Sequence, residues 1–438
     1  MSNNIVAILS ALFYLGILFG VAYYAEYRLK KGRSIINNGY VYALSLGVYC
    51  TAWTYYGSVG QASTKGIEFL AVYIGPTIMA ALFWPLLRKI IRICKTQRIN
   101  SYGKNFSLAV VVTILCMVGI IPYIALQLKA ISGSMNILTA TAEGGMGLNN
   151  ILGDNALYIS AVLAFFIILF GTRSIDASEK HEGLVAAIAF ESIIKLVAFV
   201  AVGLFVTFGL FNGFGDIFSK AAENDTLKKL FQFSKDTPYT TWTGLILLSM
   251  LAIVFLPRQF QIAVVENVKE NHLKKAIWVF PLYLLLITFF VLPIAFGGSL
   301  LMGKSGVSAD TYVLALPMHY GAGFLSFFTF IGGFSAATSM IIVETIAIST
   351  MMSNNIATPL LLAAQKFKPK GDGQLTRSIL NIRRFSILLI IALAFLYDKL
   401  VAQHFTLVSI GMVSFAAVAQ FAPAVIGGIY WKNASQKG

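Results

Sequence analysis

Eleven stretches of nearly continuous apolar residues recur along the chain: Ile5–Tyr24, Val41–Gly60, Phe69–Leu87, Leu108–Ile131, Ala156–Gly171, Gly183–Phe211, Thr243–Gln261, Ala276–Phe296, Gly323–Met352, Ser386–Tyr397 and Phe405–Tyr430. A helix needs about 20 residues to cross about 30 Å of hydrocarbon, and most of these stretches approach or exceed that length. Membrane strands would alternate apolar and polar positions instead. The runs predict helices, spread over the whole chain rather than gathered at one anchor. Met1–Gly20 has no positively charged start and no small-residue cleavage pattern after it, so it predicts a spanning helix rather than a signal peptide.

Composition agrees, with 58% hydrophobic and only 12% charged residues, and leaves no room for a soluble domain. The net charge of +15 is a topology signal once it is mapped onto the loops. Alternate segments around Arg28–Arg33, Arg88–Lys104, Arg173–Lys180, Arg258–Lys275, Lys366–Arg384 and Lys432–Lys437 hold 24 of the 33 Lys and Arg residues. The opposite set, around Lys65, Lys220–Lys235, Lys304 and Lys399, holds 7, and only Lys129 and Lys195 lie inside spans. Positive charge collects on the cytoplasmic side, which puts the amino terminus outside and the carboxyl terminus in the cytoplasm. Nucleic acid is not the expected partner; the lipid bilayer and a small-molecule solute are.

Several familiar chemistries are excluded. Cys50, Cys94 and Cys116 show no C-x-x-C spacing, and the four histidines show no metal-ligand spacing. Gly298-Ser-Leu-Leu-Met-Gly-Lys304-Ser305 matches a phosphate-loop pattern letter by letter but follows a membrane helix instead of a strand. No cofactor and no catalytic group are expected, and the chain is not read as an enzyme.

The second span, Tyr42 to Gly60, carries three glycines and several hydroxyls among aromatics. Such a segment can unwind, and freed carbonyls are tolerated at membrane depth only where they line protein or a hydrated cavity; a tightly packed small-residue interface is the alternative. Five spans later Leu256-Pro257-Arg258-Gln259 interrupts the seventh span, either as a break or as plain helix termination. If the first span is set aside, these interruptions occupy matching places in two five-helix repeats. Span six holds Glu191 and Lys195 at i, i+4, which marks a cavity, a relay or a mutual pair. Span nine holds Gly332-Gly333-Phe334-Ser335-Ala336-Ala337-Thr338-Ser339 and then Glu344, a run of small residues suited first to helix packing.

Together with Pro122-Tyr123-Ile124-Ala125-Leu126-Gln127, Val265-Glu266-Asn267-Val268 and Ala419-Gln420-Phe421-Ala422-Pro423, these segments resemble the sodium:solute symporter family. They resemble most the symporter-like membrane half of bacterial sensor histidine kinases. The resemblance implies an all-α membrane protein with a LeuT-like five-plus-five inverted-repeat bundle. Residues 5–24 would precede a first repeat over 41–211 and a second over 243–430, in one transporter domain of a bacterial inner-membrane protein. It implies secondary transport of a small organic solute, with an amino acid expected, and as the alternative a solute-sensing module of a two-component system. Relatives continue past the eleventh span, and the sensors carry a cytoplasmic kinase there, so the chain is expected to be a fragment or a minimal form.

The resemblance places a solute among Thr51, Trp53, Tyr56, Tyr123, Gln127, Gln259 and Gln420. It places sodium on the carbonyls of Gly47 and Cys50 and the hydroxyl of Ser335. Here the chain departs from the family: a second hydroxyl position is Ala336, an aspartate position is Tyr49, and Lys195 adds a cation. Losing an oxygen ligand and a nearby negative charge weakens a hard-cation site. Glu191 and Lys195 are therefore the candidates for coupling to protons in place of sodium.

Overall fold

The computed structural model describes residues 3–97, 106–139, 155–171, 181–233, 239–363, 372–431 and 433, and among them there are helices and connecting turns but no strand. Parts of the basic segments Arg88–Lys104, Lys220–Lys235, Lys366–Arg384 and Lys432–Lys437, and all of Arg173–Lys180, lie outside the described residues.

The chain opens with α1 (Asn3–Lys30). The second span is split into α2 (Gly39–Ser45), which continues as a tight turn over Leu46–Tyr49, and α3 (Ser58–Lys65), preceded by a wide turn over Trp53–Gly57. Next come α4 (Ala71–Ala81), α5 (Arg88–Gln97), α6 (Phe106–Thr139), α7 (Asn155–Gly171) and α8 (Glu182–Leu204). Two short surface helices, α9 (Phe214–Glu223) and α10 (Asp225–Lys228), lead to α11 (Tyr239–Phe255) and α12 (Pro257–Phe260). Then follow α13 (Leu273–Thr288), α14 (Val291–Met302), α15 (Tyr312–His319), α16 (Gly323–Met352) and α17 (Thr358–Ala363). The last are α18 (Asp372–Leu400), α19 (Leu407–Ala419) and α20 (Ala422–Tyr430).

Seven of these helices or helix runs are long and apolar enough to cross a membrane, and nine if each of two bent pairs counts as one span. The difference from eleven apolar stretches has two sources. The fifth, α7, is 17 residues long, and the second is broken into short halves. Both bends have a local cause. The chain turns by 49° between α11 and α12, where Leu256 is extended (φ −62°, ψ 132°) ahead of Pro257 at the first position of α12. Proline has no N–H to continue the ladder and disfavours helix in the residue before it. The other bend, of 59°, falls at Leu82, followed by a wide turn over Phe83–Leu87 that contains Pro85.

The long α16 is the axis of the bundle. It packs on α8, α6 and α18, and nearly all of its length from Thr329 to Ser349 is buried. Its small residues do pack: a Cβ on Gly332 would lie 2.6 Å from the Tyr55 hydroxyl, and one on Gly333 would lie 1.9 Å from that of Tyr56. The first helix is no loose appendage, since α1 packs along α8 and Tyr14 donates to Ser335 Oγ at 2.7 Å.

One end of the bundle is tied by carboxylates. Glu182, at the start of α8, accepts from Ser34 Oγ (2.8 and 2.9 Å) and from the backbone N–H of Ile35 (2.5 Å) and Ile36 (3.1 Å), pinning the segment between α1 and α2. Glu270 holds Arg88 and Arg92, each at 2.9 Å, and the guanidinium beside it keeps its carboxyl below the usual range. Replacing Glu182 by Ala strands the buried Ile36 N–H and is expected to cost about 1–3 kcal/mol. Thermal unfolding in detergent should show the loss, with Glu182→Gln clearly milder; equal behaviour of the two variants would remove the latch role.

Candidate functional site

The break in the second span sits in the protein interior. Cys50 is extended (φ −80°, ψ 99°), so the helical hydrogen-bond ladder stops there, and every residue from Leu46 to Gly60 is buried. Buried backbone groups must find partners, and here side chains from neighbouring helices supply them. Gln127 of α6 accepts from the Ala52 N–H with Oε1 at 2.9 Å, and Thr51 caps the next turn by accepting from the Trp53 N–H at 3.2 Å. Thr51 Oγ1 lies 3.1 Å from the Tyr123 hydroxyl. Trp53 packs against Tyr123 and Phe415, with ring centroids 6.1 and 4.8 Å apart.

The carbonyls of Gly47 and Cys50 converge on one point, which the ammonium of Lys195 occupies. Lys195 Nζ donates to Gly47 O at 2.7 Å and to Cys50 O at 2.6 Å, and the side chain is fully buried. Glycine at 47 lets α8 come close, because a Cβ there would lie 2.7 Å from Ser192 Oγ. The i, i+4 neighbours on α8 thus take different partners. Glu191 accepts from Thr338 Oγ1 of α16 at 2.9 Å, while Lys195 reaches across to the broken helix.

Ser335, the third expected sodium ligand, makes no bond to this point. It donates to the Glu191 carbonyl at 3.1 Å and accepts from Tyr14 at 2.7 Å, so its proton is spent on Glu191, one turn from Lys195 on α8.

Of the expected solute contacts, Thr51, Trp53, Tyr123 and Gln127 form one cluster. Tyr56 lies farther along, edge-on to Tyr55 and against Gly333, with its hydroxyl buried. Gln259 is fully buried, and neither amide atom is hydrogen-bonded among the described residues. Gln420 does not join the site: it falls just past the last turn of α19, where the chain steps to α20, and its side chain is exposed. The same helix contributes Phe415 instead, together with Gly411, where a Cβ would lie 2.7 Å from the Trp53 ring.

A residue that span-by-span reading passed over completes the cluster. Arg258, at the start of α12, is fully buried, pairs with Glu344 of α16 at 2.8 Å, and stacks over the Tyr123 ring at 4.4 Å. Its signal in the sequence was an arginine directly after the proline that breaks a span, with a lone Glu344 inside another.

In the first turn of α3, Gly60 packs against Asp310, leaving no room for a Cβ beside the carboxylate. Burial pushes the Asp310 carboxyl up to about 6, with Lys129 pulling against it. An acid whose folded value lies above its unfolded one favours folding only while protonated. Stability from this group therefore falls as pH rises from about 4 to 6, by on the order of 2 kcal/mol. Asp310→Asn should flatten the change in melting temperature over that range, and an unaltered profile would count against it.

No family model matches the chain, and no curated protein matches its sequence. Solved structures do. A chain from the substrate-bound, outward-open state of a Na+-coupled sialic acid symporter superposes with a TM-score of 0.65 at 15% identity, over 97% of this chain and 87% of that one. A manganese transporter of Eremococcus coleocola aligns with a TM-score of 0.45 at 13% identity, over 91% and 88% of the two chains. The chain is an all-α, multi-pass membrane protein with the LeuT-like five-plus-five inverted-repeat fold and one extra helix at its amino end.

Proposed function

We propose that the protein is a secondary transporter that carries a small organic solute across the bacterial inner membrane by alternating access. The observation that carries this reading is the buried break in the second span, where the chain leaves the helical ladder at Cys50 and the Gly47 and Cys50 carbonyls both accept from the Lys195 ammonium. Irregular backbone at membrane depth is tolerated only where it is enclosed by protein or lines a site, and discontinuous helices are where transporters bind solute and ion. In this reading residues 41–211 and 243–430 are the two repeats, with the amino terminus outside and the carboxyl terminus in the cytoplasm. Thr51, Trp53, Tyr123 and Gln127 face the solute. Thr51 and Gln127 have no exposed surface, so loading requires the surrounding helices to part.

Coupling follows from Lys195. A tethered ammonium on the two carbonyls supplies the positive charge that a sodium ion brings to such a site, and it cannot dissociate. The exchangeable cation is then a proton, held by Glu191 and Lys195. Like the solute assignment, this reading draws support from the family resemblance as well as from the geometry.

Proteoliposomes preloaded with unlabelled solute and offered labelled amino acids, short monocarboxylates or sugars test it by counterflow. Exchange above that of empty liposomes is expected for at least one class, equally in sodium and in choline medium. No exchange for any class would overturn the transport reading, and a strict sodium requirement would overturn the coupling. Glu191→Gln should abolish acceleration by a pH gradient.

A further inference from the structure

Arg258 is among the largest side chains that are completely buried among the described residues, and only part of it is used. Its Nη1 donates to Glu344 Oε2 at 2.8 Å, and its backbone N–H to Oε1 at 3.3 Å. Nε and Nη2 are both buried and make no hydrogen bond of good geometry among the described residues. These two nitrogens share one edge of the planar guanidinium and point parallel donors in one direction, the geometry that a carboxylate matches with two bonds. Buried polar atoms are almost always paired, so an arginine with a whole edge unpaired asks for an explanation. The next residue, Gln259, leaves its carbonyl and its amide unpaired among the described residues as well.

The location ties these atoms to the solute cluster. The guanidinium lies over Tyr123, whose hydroxyl is 3.1 Å from Thr51, and α12 packs against the Leu46–Tyr49 turn. Glu344 is engaged through both oxygens by Arg258 itself. What the cluster has to spare beside Tyr123 is therefore an anion-binding edge.

We propose that the Nε–Nη2 edge of Arg258 is the recognition point for a carboxylate on the solute, with Gln259 as a neutral neighbouring contact. The inference rests on the transport reading and names its substrate class as carboxylate-bearing small molecules. Zwitterionic amino acids and simple monocarboxylates share that group. Uncharged sugars lack it and are rejected, because they leave the charged edge unpaired.

The test is ligand-induced stabilisation of the purified protein in detergent, since a ligand that binds only the folded form raises its melting temperature. Lactate and acetate form one arm, alanine and proline a second, glucose a third, and the methyl esters of lactate and alanine a fourth. A dose-dependent rise with members of either of the first two arms, absent with the esters and with glucose, is expected. Arg258→Lys keeps a cation for Glu344 but loses the edge, and should weaken that binding at least tenfold. The ester comparison needs no variant, so it decides the matter even if Arg258→Lys fails to fold. Glucose or an ester binding as well as the free acids would overturn the proposal, as would unchanged affinity in Arg258→Lys. Binding is read without transport: a carboxylate that binds but never exchanges through liposomes defeats the transport reading alone, and a sugar that exchanges defeats the carboxylate assignment alone.

Discussion

Replacing Lys195 with alanine should give a protein whose stability responds to sodium, where the proposed coupling leaves the native chain indifferent to it. In the native chain the Gly47 and Cys50 carbonyls already hold a cation at 2.7 and 2.6 Å, so added sodium has no vacant oxygens to gain. The alanine variant removes the ammonium and the stem behind it while leaving the carbonyls in place. The Cys50 carbonyl loses its charged donor, at about 1–3 kcal/mol, while the Gly47 carbonyl keeps the Cys50 N–H at 3.0 Å, so the variant should be destabilised by a few kcal/mol in choline medium. A hard cation that takes oxygen ligands then has a site to enter. At 100 times its dissociation constant it restores about 2.7 kcal/mol by mass action. Melting curves in sodium against choline read this directly: separation of the two curves for Lys195→Ala, and coincidence for the native protein, are expected. Lys195→Met fills the space with an apolar chain and should be destabilised without sodium rescue. If native protein and alanine variant respond to sodium alike, the ammonium is not standing in for the ion.

The second large effect is at the Arg258–Glu344 pair. Both side chains are fully buried, and a buried ion pair is a weak source of net stability, because desolvation offsets most of the attraction. Removing one partner is different, since it abandons a charge in a medium that cannot solvate it, at a cost of about 3–5 kcal/mol. Glu344→Leu and Arg258→Met are each expected to unfold at markedly lower temperature. The double variant should lose much less than the sum, because it leaves no charge behind. All three should be inactive in solute exchange if Arg258 also contacts the solute. Additive losses in the double variant would show that the two groups do not depend on one another.

The spans were legible because a lipid-crossing helix is a local property: enough apolar residues in a row, whatever packs beside them. The site was legible only where its chemistry was local too. Glycines at 47 and 57 and the hydroxyl of Thr51 marked the second span as breakable, and Pro257 marked the bend after α11. Lys195 was visible as an intramembrane cation, but its partner was not. The i, i+4 rule pointed to Glu191 on the same helix, whereas the carbonyls that hold it come from a segment 148 residues earlier. Nothing in residue spacing records a backbone acceptor. Arg258 was hidden differently, because a basic residue at a span end reads as an interfacial anchor until the tertiary fold carries it inward to Glu344. Gln420 erred in the reverse direction: a polar side chain in an apolar stretch suggested a pocket, but a step between α19 and α20 turned it outward. Phe415, which does face Trp53 and Tyr123, looked like any other core aromatic.

Accessibility of position 51 from the two sides of the membrane separates a transporter from a static membrane module. Thr51→Cys in sealed proteoliposomes of defined orientation, in a background where Cys50, Cys94 and Cys116 are replaced by alanine, can be offered a small impermeant thiol reagent outside or trapped inside. Reaction from both sides is expected, slowed by a solute that binds. Reaction from one side only, or from neither at any solute concentration, would contradict alternating access around the broken helix.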